Sequence, residues 1–234
     1  MNGLDISFSG ETLTARGSGA LYWPSQGLLC VSDLHLGRTE RIARQGGQII
    51  PPFENADTLT RLETEIAELN PKTVVCLGDS FDDIAASLAL TETENEWIRR
   101  LQAGREWIWI EGNHDPAPLS LGGTHLKQLA LDPLVFRHIA ETGATGEISG
   151  HYHPKFTVRT RHRSISRAAF LFDDVRLILP AFGTYTGGLN INKAPMRALF
   201  GDGAKVVLTG DKPRLLPAYS AAKRSNIPAS SRTD

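Results

Sequence analysis

Seven side chains that can bind a metal ion stand just after apolar, β-prone segments of this sequence. In layered α/β proteins, ligands gather at the carboxyl ends of strands, so we expect these residues to form one site. Imidazole, carboxylate and amide oxygen together suit Mn²⁺, Fe²⁺ or Zn²⁺, and the absence of thiolates disfavours a structural zinc site. The seven candidates are Asp33, His35, Asp79, Asn113, His138, His151 and His153.

Seven ligands exceed what one ion needs, but they suit two ions that share a bridging carboxylate. Two divalent ions about 3.5–4 Å apart bind phosphate oxygens, lower the pKa of a bridging water to give hydroxide near neutral pH, and stabilise an in-line displacement. The sequence therefore predicts phosphoester hydrolysis with two divalent metal ions. His138 depends most on the rest of the set, because a lone histidine at a strand end is more often simply hydrogen-bonded.

A four-residue stretch, Gly112-Asn113-His114-Asp115, follows the apolar run at residues 107–110. It offers a neutral oxygen ligand, a proton donor and an orienting carboxylate. Asn, His and Asp also form ordinary turns, so this stretch alone is weak evidence. Its weight comes from the similar strand-end motifs that flank it in the chain.

The segments that must position these residues alternate between strands and helices and then become rich in β-structure. We interpret the chain as one layered α/β domain, residues 1–222, with helices outside, followed by a disordered tail at 223–234. The pattern predicts an N-terminal meander at 4–22, helices at 38–44, 54–69 and 91–103, strands before each motif, and β-hairpins at 156–179.

Composition indicates an ordinary globular protein of 234 residues, with 41% hydrophobic and 22% charged residues. The net charge of −1 means that any contact with DNA must come from a local patch. No apolar run reaches the roughly 18 residues that span a bilayer, and the N-terminus does not resemble a signal peptide, so we expect a cytoplasmic protein. Cys30 and Cys76 lie in apolar runs, which favours buried, reduced thiols over a disulfide or a metal role.

Four positively charged residues are candidates for substrate contact. If residues 157–163 form one strand, Arg159, Arg161 and Arg163 share a face near His153 and could follow a DNA backbone. The alternative is a charged face that protects an edge strand. Arg38 could contact a substrate phosphate or could be a solvated residue at the start of a helix.

Two further features leave their roles open. Residues 182–190 contain three glycines and an aromatic pair that includes Tyr185. This loop could gate the site or stack on a substrate, or it could be a tight turn that packs beneath the site. Asp82 and Asp83 are better explained as helix caps or as supports for the ligands than as ligands themselves.

The motif set resembles that of the calcineurin-like metallophosphoesterases, in the order of that family. It consists of Asp33-x-His35, Gly78-Asp79, Gly112-Asn113-His114-Asp115, His138 and Gly150-His151-x-His153. The resemblance implies an α/β/β/α sandwich with two packed mixed sheets and a metal site at the C-terminal ends of strands.

The resemblance also implies a role for each site residue. One ion would be held by Asp33, His35, Asp79 and His153, and the other by Asp79, Asn113, His138 and His151. Asp79 would bridge the two ions. His114 would contact the phosphate and protonate the leaving oxygen, and Asp115 would orient the His114 ring.

A narrower resemblance covers nearly the whole chain. Residues 20–24, 33–37, 109–115 and 179–190 are similar to the bacterial ligase-associated DNA-damage-response endonucleases. This similarity implies a Mn²⁺-dependent phosphodiesterase or nuclease acting on DNA, alongside a repair ligase, helicase or exonuclease. Two positions depart from that pattern. Asp82 stands where relatives often have His, and Ile139-Ala140 replaces Glu-Pro.

Three functions are compatible with these residues. The first is hydrolysis of DNA phosphodiesters. The second is hydrolysis of a small-molecule phosphodiester or phosphomonoester, since the same two-metal core serves all of these reactions. The third is a metal-stabilised scaffold that binds protein partners, but a scaffold has no need to keep His114 beside the metals.

Overall fold

The first of two β-sheets contains the motifs from the N-terminal half. The computed structural model describes residues 2–48, 50–115, 121–159 and 163–219. In these ranges the first sheet has seven strands in chain order: β1 Gly3–Phe8, β2 Glu11–Arg16, β3 Leu21–Trp23, β4 Leu28–Val31, β5 Thr73–Leu77, β6 Glu106–Ile110 and β7 Thr124–Leu126. β1 to β4 form the antiparallel meander predicted for 4–22, extended by one strand. β4 to β7 are parallel, so the sheet is mixed.

The second sheet is also mixed and contains the motifs from the C-terminal half. Its central strands β9, β10 and β13 are parallel, whereas β11 and β12 form an antiparallel hairpin. In the described residues its strands are β8 Gln128–Leu131, β9 Leu134–Arg137, β10 Glu147–Ser149, β11 Pro154–Arg159, β12 Ser164–Phe172, β13 Arg176–Ile178, β14 Leu189–Asn190, β15 Lys205–Leu208 and β16 Arg214–Pro217.

Alternation along β5 shows how the first sheet is buried on both faces. Val75 and Leu77 point into the core between the sheets, while Val74 and Cys76 point toward the helices. A strand with two buried faces must be apolar throughout, which is why its sequence is a continuous hydrophobic run. Phe136 from β9 completes the same inter-sheet core, and each such buried side chain contributes about 1.5–3 kcal/mol.

Helices cover the outer face of each sheet. α2 and α4 pack apolar stripes against the first sheet, and α5 buries Met196 against the second. A capping box formed by Thr91 and Glu94 stabilises the start of α4. The described helices are α1 Arg38–Arg44, α2 Glu54–Leu69, α3 Ile84–Leu88, α4 Glu92–Gln102 and α5 Ala194–Leu199. The α/β/β/α sandwich expected from the sequence is therefore confirmed.

Three smaller expectations can be compared with the structure. Cys30 and Cys76 are free and buried, as predicted, and burial raises the pKa of both thiols. In the described ranges, no helix combines the length and apolar character needed to cross a membrane. The tail at 223–234 lies outside the described residues.

Candidate metal centre

The strand ends bring six of the seven candidate ligands into two compact groups. Asp33, His35 and His153 form one group, and Asp79, His138 and His151 form the other; within each group the ligand atoms all lie within 4.8 Å of one another. The first group joins the end of β4 to the end of β10, so it exists only where the two sheets meet. Each group has the carboxylate and imidazole donors that were expected from the sequence.

The seventh candidate, Asn113, extends the second group. Its Oδ1 atom lies 3.0 Å from His138 Nε2. The two groups also adjoin each other, because His138 Nδ1 is 4.0 Å from Asp33 Oδ1. The structure thus brings all seven sequence-predicted ligands into one continuous cluster.

Most of the candidate ligands adopt an unusual backbone conformation. Eight non-glycine residues in the described ranges have positive φ, and five of them are candidate ligands. A left-handed conformation costs a non-glycine residue about 1–2 kcal/mol, and such strain concentrates at functional sites. The five are Asp33 (53°), His35 (46°), Asp79 (44°), His151 (67°) and His153 (46°).

Two motif glycines allow the strand ends to converge. A Cβ atom on Gly150 would overlap Ser32 Oγ and lie 2.6 Å from Asp33 Oδ2. A Cβ atom on Gly112 would overlap Asp79 and lie 2.5 Å from Asp115 Oδ1. Any side chain at either position would displace a candidate ligand, so the close approach requires glycine.

Each carboxylate has one oxygen held by the fold and the other directed at the cluster. Asp33 Oδ2 accepts hydrogen bonds from Ser32 Oγ and from the main-chain N–H of His151, and its Oδ1 lies 3.1 Å from His153 Nε2. Asp79 Oδ1 accepts the main-chain N–H of His114 at 2.8 Å, and its Oδ2 lies 3.4 Å from His138 Nε2. Burial raises both carboxyl pKa values, but the neighbouring histidines outweigh it: the pKa of Asp33 is lowered, and that of Asp79 falls to about 2.

The histidines show the same division between a held nitrogen and a free one. His138 Nδ1 donates to the carbonyl of Leu77 at 3.0 Å, which directs Nε2 toward the cluster. His35 Nδ1 lies 2.8 Å from Asp82 Oδ1, and His35 Nε2 is buried with no hydrogen bond among the described residues. Support of one ring nitrogen by a carboxylate or carbonyl is the usual arrangement around a metal-binding histidine.

This donor set fits divalent metal ions. Burial and the charge of His138 lower the pKa of His151, which favours the neutral imidazole that binds metal. Two ionised carboxylates provide the compensating negative charge, and the buried, unpaired Nε2 of His35 provides a ready donor. Asp33, His35 and His153 would hold one ion and Asp79, Asn113, His138 and His151 the other.

His114 stands beside the cluster without belonging to either group. Its Nε2 lies 4.0 Å from Asp79 Oδ2, and its side chain is 30% exposed. Its Nδ1 lies 2.8 Å from the main-chain carbonyl oxygen of Asp82. Because a carbonyl oxygen can only accept, Nδ1 carries a proton, and Nε2 is left to face the cluster.

The expectation that Asp115 orients the His114 ring is wrong. The Asp82 carbonyl holds that ring, while Asp115 Oδ2 accepts the main-chain N–H groups of Ser80 and Phe81 at 2.8 and 3.3 Å. Asp115 is therefore a brace for the turn that carries Asp79. Burial, together with the nearby charge of Asp79, raises the pKa of Asp115 to about 7.

Asp82 supports a candidate ligand, as the sequence suggested, because it contacts His35, and it also forms ion pairs with two arginines. Its Oδ1 is 2.9 Å from Arg38 Nη1, and its Oδ2 is 3.0 Å from Arg41 Nη1. Burial raises the pKa of Asp82, but His35 and the two guanidinium groups lower it to about 2. Asp83 caps α3 by accepting the N–H of Ala86.

Arg41, 3.5 Å from His114 Nδ1, was not identified from the sequence, since an arginine inside a short helix has no motif around it.

The structure contradicts the single-strand arrangement of the other candidates for substrate contact, Arg159, Arg161 and Arg163. β11 ends at Arg159, β12 begins at Ser164, and these two residues pair across an antiparallel hairpin. The prediction that residues 157–163 form one strand with three arginines on a single face is therefore wrong. No glycine or proline marks the reversal in the sequence. Arg163 is exposed, whereas Arg161 and the side chain of Arg159 lie outside the described residues.

Comparisons with known proteins cover the part of the chain that contains this site. The family model for calcineurin-like phosphoesterases matches residues 28–212, a range that contains every candidate ligand and His114. The crystal structure of Pseudomonas putida nuclease MPE is similar, with a TM-score of 0.70 and 26% sequence identity. That match covers 88% of this chain and 96% of the nuclease chain. No curated protein matches this sequence significantly.

Proposed function

The chain belongs to the calcineurin-like phosphoesterase family, and from that premise we propose that it is a two-metal phosphodiesterase that cleaves DNA. Metal-dependent phosphoester hydrolysis follows from the family and from the ligand groups. We further propose that Mn²⁺ is the working ion, with Fe²⁺ or Zn²⁺ as alternatives, and that the protein acts in DNA repair in the cytoplasm.

One observation carries the proposal: two ligand groups adjoin each other, and a histidine that belongs to neither stands beside them. Bound divalent ions would supply Lewis-acid activation of the phosphate and of the attacking water. Asp79 belongs to the second group and is also influenced by the charge of His35 in the first group, so it would be the ligand that both ions share. His114, held through Nδ1, presents Nε2 to the leaving oxygen, and in its doubly protonated form it can donate the Nε2 proton as the general acid.

DNA as the substrate is supported by the similarity to a nuclease of known structure over most of this chain. A polynucleotide also needs cations along its path. Arg38 stands at the edge of the site, paired with Asp82. We propose that Arg38, together with Arg159, Arg161 and Arg163 in and near the β11–β12 hairpin, contacts phosphates. A repair ligase, helicase or exonuclease would be the protein partner in this role.

A panel of four substrates in Mn²⁺ tests the proposal. The panel contains supercoiled plasmid, a single-stranded oligonucleotide, bis-p-nitrophenyl phosphate and a phosphomonoester. A DNA phosphodiesterase should cleave at least one DNA substrate and the small diester, and it should act poorly on the monoester. The Asp79→Asn protein provides the inactive control for contaminating nucleases.

The competing functions give different results. Efficient hydrolysis of the monoester or of the small diester, with no cleavage of either DNA, would replace DNA by a small-molecule substrate. No hydrolysis of any substrate by protein with two bound ions would favour a scaffold. Either result would refute the proposed activity on DNA.

A further inference from the structure

We propose that the cavity beside His153 is a nucleotide-binding subsite, in which Tyr185 stacks on a base and Lys155 contacts a phosphate. The inference rests on the proposed function, because it places the nucleotide that adjoins the scissile phosphate. The cavity has a volume of about 320 Å³ and is lined by Arg61, His153, Lys155, Ser166, Tyr185 and Thr186, among others. This volume lies at the lower end of the range for small-ligand sites, about 300–1,000 Å³.

The charge of the cavity favours an anion. Lys155 is half-buried, and neither a hydrogen bond nor an ion pair joins its amino group to any described residue. Gly188 makes room for the lysine stem, since a Cβ atom there would lie 2.6 Å from Lys155 Cε. Arg61 lines the same cavity but is paired with Asp57 at 3.1 Å, so Lys155 is the lining cation that lacks an acidic partner among the described residues. None of the described lining residues is acidic. A partly buried cation without a carboxylate partner is costly unless a ligand supplies the negative charge.

A second cavity, which reaches the other ligand group of the metal centre, differs in charge. It has a volume of about 610 Å³ and reaches Asn113 and His138, but Glu111 and Glu141 line it beside its basic residues. Carboxylates disfavour a phosphate group at that position. The nucleotide that adjoins the scissile phosphate should therefore bind in the cavity beside His153, which has no acidic residue in its described lining.

Tyr185 is presented to this cavity by a firmly anchored loop. The main-chain N–H groups of Phe182 and Gly183 donate to the carbonyls of Ser32 and Asp33, which ties the loop to the first ligand motif. Arg61 donates to the carbonyl of Phe182 at 2.6 Å and lies over its ring, 4.7 Å from the ring centroid. Phe182 is fully buried, so one of the two aromatic rings packs beneath the site.

The other ring is held out toward solvent. Tyr185 is 43% exposed and has a φ of 60°, a left-handed conformation that is strained for a tyrosine. Thr184 fixes the preceding position, because its N–H donates to Thr58 Oγ1 and its hydroxyl donates to Asp57. A strained, anchored residue with an exposed ring suits stacking on a base better than gating, since a gate requires a mobile loop.

The test compares an oligonucleotide with a small diester for matched variants. Tyr185→Asn removes the ring and keeps a residue that tolerates positive φ, whereas Tyr185→Phe retains the stacking surface. Lys155→Ala removes the phosphate contact. Lys205→Ala is the control, because Lys205 is an exposed lysine on β15 that lines a separate cavity with Ser7 and Asp174. Substrates are a single-stranded oligonucleotide and bis-p-nitrophenyl phosphate in Mn²⁺.

Tyr185→Asn should lower kcat/KM for the oligonucleotide about 5- to 150-fold, which corresponds to about 1–3 kcal/mol for one base–aromatic stack. The loss for the small diester should be clearly smaller, and Tyr185→Phe should restore most of the oligonucleotide activity. Binding of a labelled oligonucleotide, measured by fluorescence anisotropy in a His114→Ala background, gives a readout independent of catalysis. There, Lys155→Ala should make the slope of log K against log salt shallower by about 0.7, while Lys205→Ala should not change it.

Two results would overturn the subsite while leaving the proposed function intact. One is an unchanged oligonucleotide kcat/KM in both Tyr185→Asn and Lys155→Ala proteins. The other is an equal loss on both substrates, which would indicate a structural role. If the wild-type protein hydrolyses the small diester but cleaves no polynucleotide, both the proposed function and the subsite are refuted.

Discussion

Replacement of His114 by alanine separates the chemistry of this site from its assembly. The side chain belongs to neither ligand group, and its ring lies at the edge of the cluster, with Nε2 4.0 Å from Asp79 Oδ2. Asp79 is held by the main-chain N–H of residue 114, which His114→Ala retains. We therefore expect metal content to stay unchanged in the variant.

The structure allows both magnitudes to be worked out. Folding should lose only about 1 kcal/mol, because the ring is 30% exposed and makes a hydrogen bond to the Asp82 carbonyl. The rate should fall far more, since a positioned acid–base group contributes about 10²–10⁴-fold. That loss corresponds to about 2.7–5.4 kcal/mol of activation free energy. The increase in activation free energy should thus exceed the loss in free energy of unfolding.

The assay measures kcat on two substrates with different leaving groups, together with metal content and thermal unfolding. DNA has a poor alkoxide leaving group that needs protonation, whereas a nitrophenyl ester does not, so the loss should be larger on DNA. His125→Ala is a matched control, because His125 lies on β7 and belongs to neither ligand group. Equal losses on the two substrates would show that His114 stabilises charge and does not act as an acid. Loss of metal would make it a ligand and refute the reasoning.

Three further predictions follow from the site. Asp79→Asn should weaken both metal sites, because the neutral amide cannot bridge two cations; elemental analysis showing one site unaffected would contradict the bridging role. Burial lowers the pKa of His138, but Asp79 and Asp33 together raise it to about 9, so metal must displace a proton below that pH. Metal affinity should therefore rise with pH and level off above about 9. Calorimetry in buffers of different ionisation enthalpy should detect the released proton. No proton release at pH 7 would contradict the protonated state of His138. Changing Arg159, Arg161 and Arg163 together to Ala should make the salt dependence of duplex DNA binding shallower by up to about 0.9 per lost contact, and an unchanged slope would exclude them from the interface.

The amino-acid sequence, through its motifs and the family that they resemble, was sufficient to predict the sandwich, and it identified the candidate ligands that the structure brings together. Each ligand is part of a local strand-to-turn pattern, and the apolar run before it specifies a strand whose end must be polar. Asp33 and Asp79 illustrate this, since each follows a buried strand of continuous hydrophobic residues. The motif glycines could also be recognised locally, although only the structure shows that Gly150 makes room for Ser32 and Asp33.

Other features were decided only by the tertiary structure. The group that holds His114 is the main-chain carbonyl of Asp82, 32 residues earlier in the chain. Every residue has a carbonyl, so no side-chain pattern could have identified it, and the more conspicuous Asp115 was chosen wrongly. The β-hairpins predicted for residues 156–179 are present, but the position of the reversal between Arg159 and Ser164 was not predicted, because period-2 alternation reports the faces of a strand and not where it ends.

The loop at residues 182–190 shows most clearly what the sequence leaves open and the tertiary structure decides. Its sequence left open whether it gates the site or packs beneath it, because glycines and aromatic residues suit both roles. The fold assigned the two aromatic rings different environments by anchoring Phe182 to Ser32 and Arg61 and exposing Tyr185. The candidate ligands are specified by short segments of sequence. The hydrogen-bonding partner of each side chain depends on contacts between segments far apart in the chain, and these contacts exist only after the chain has folded.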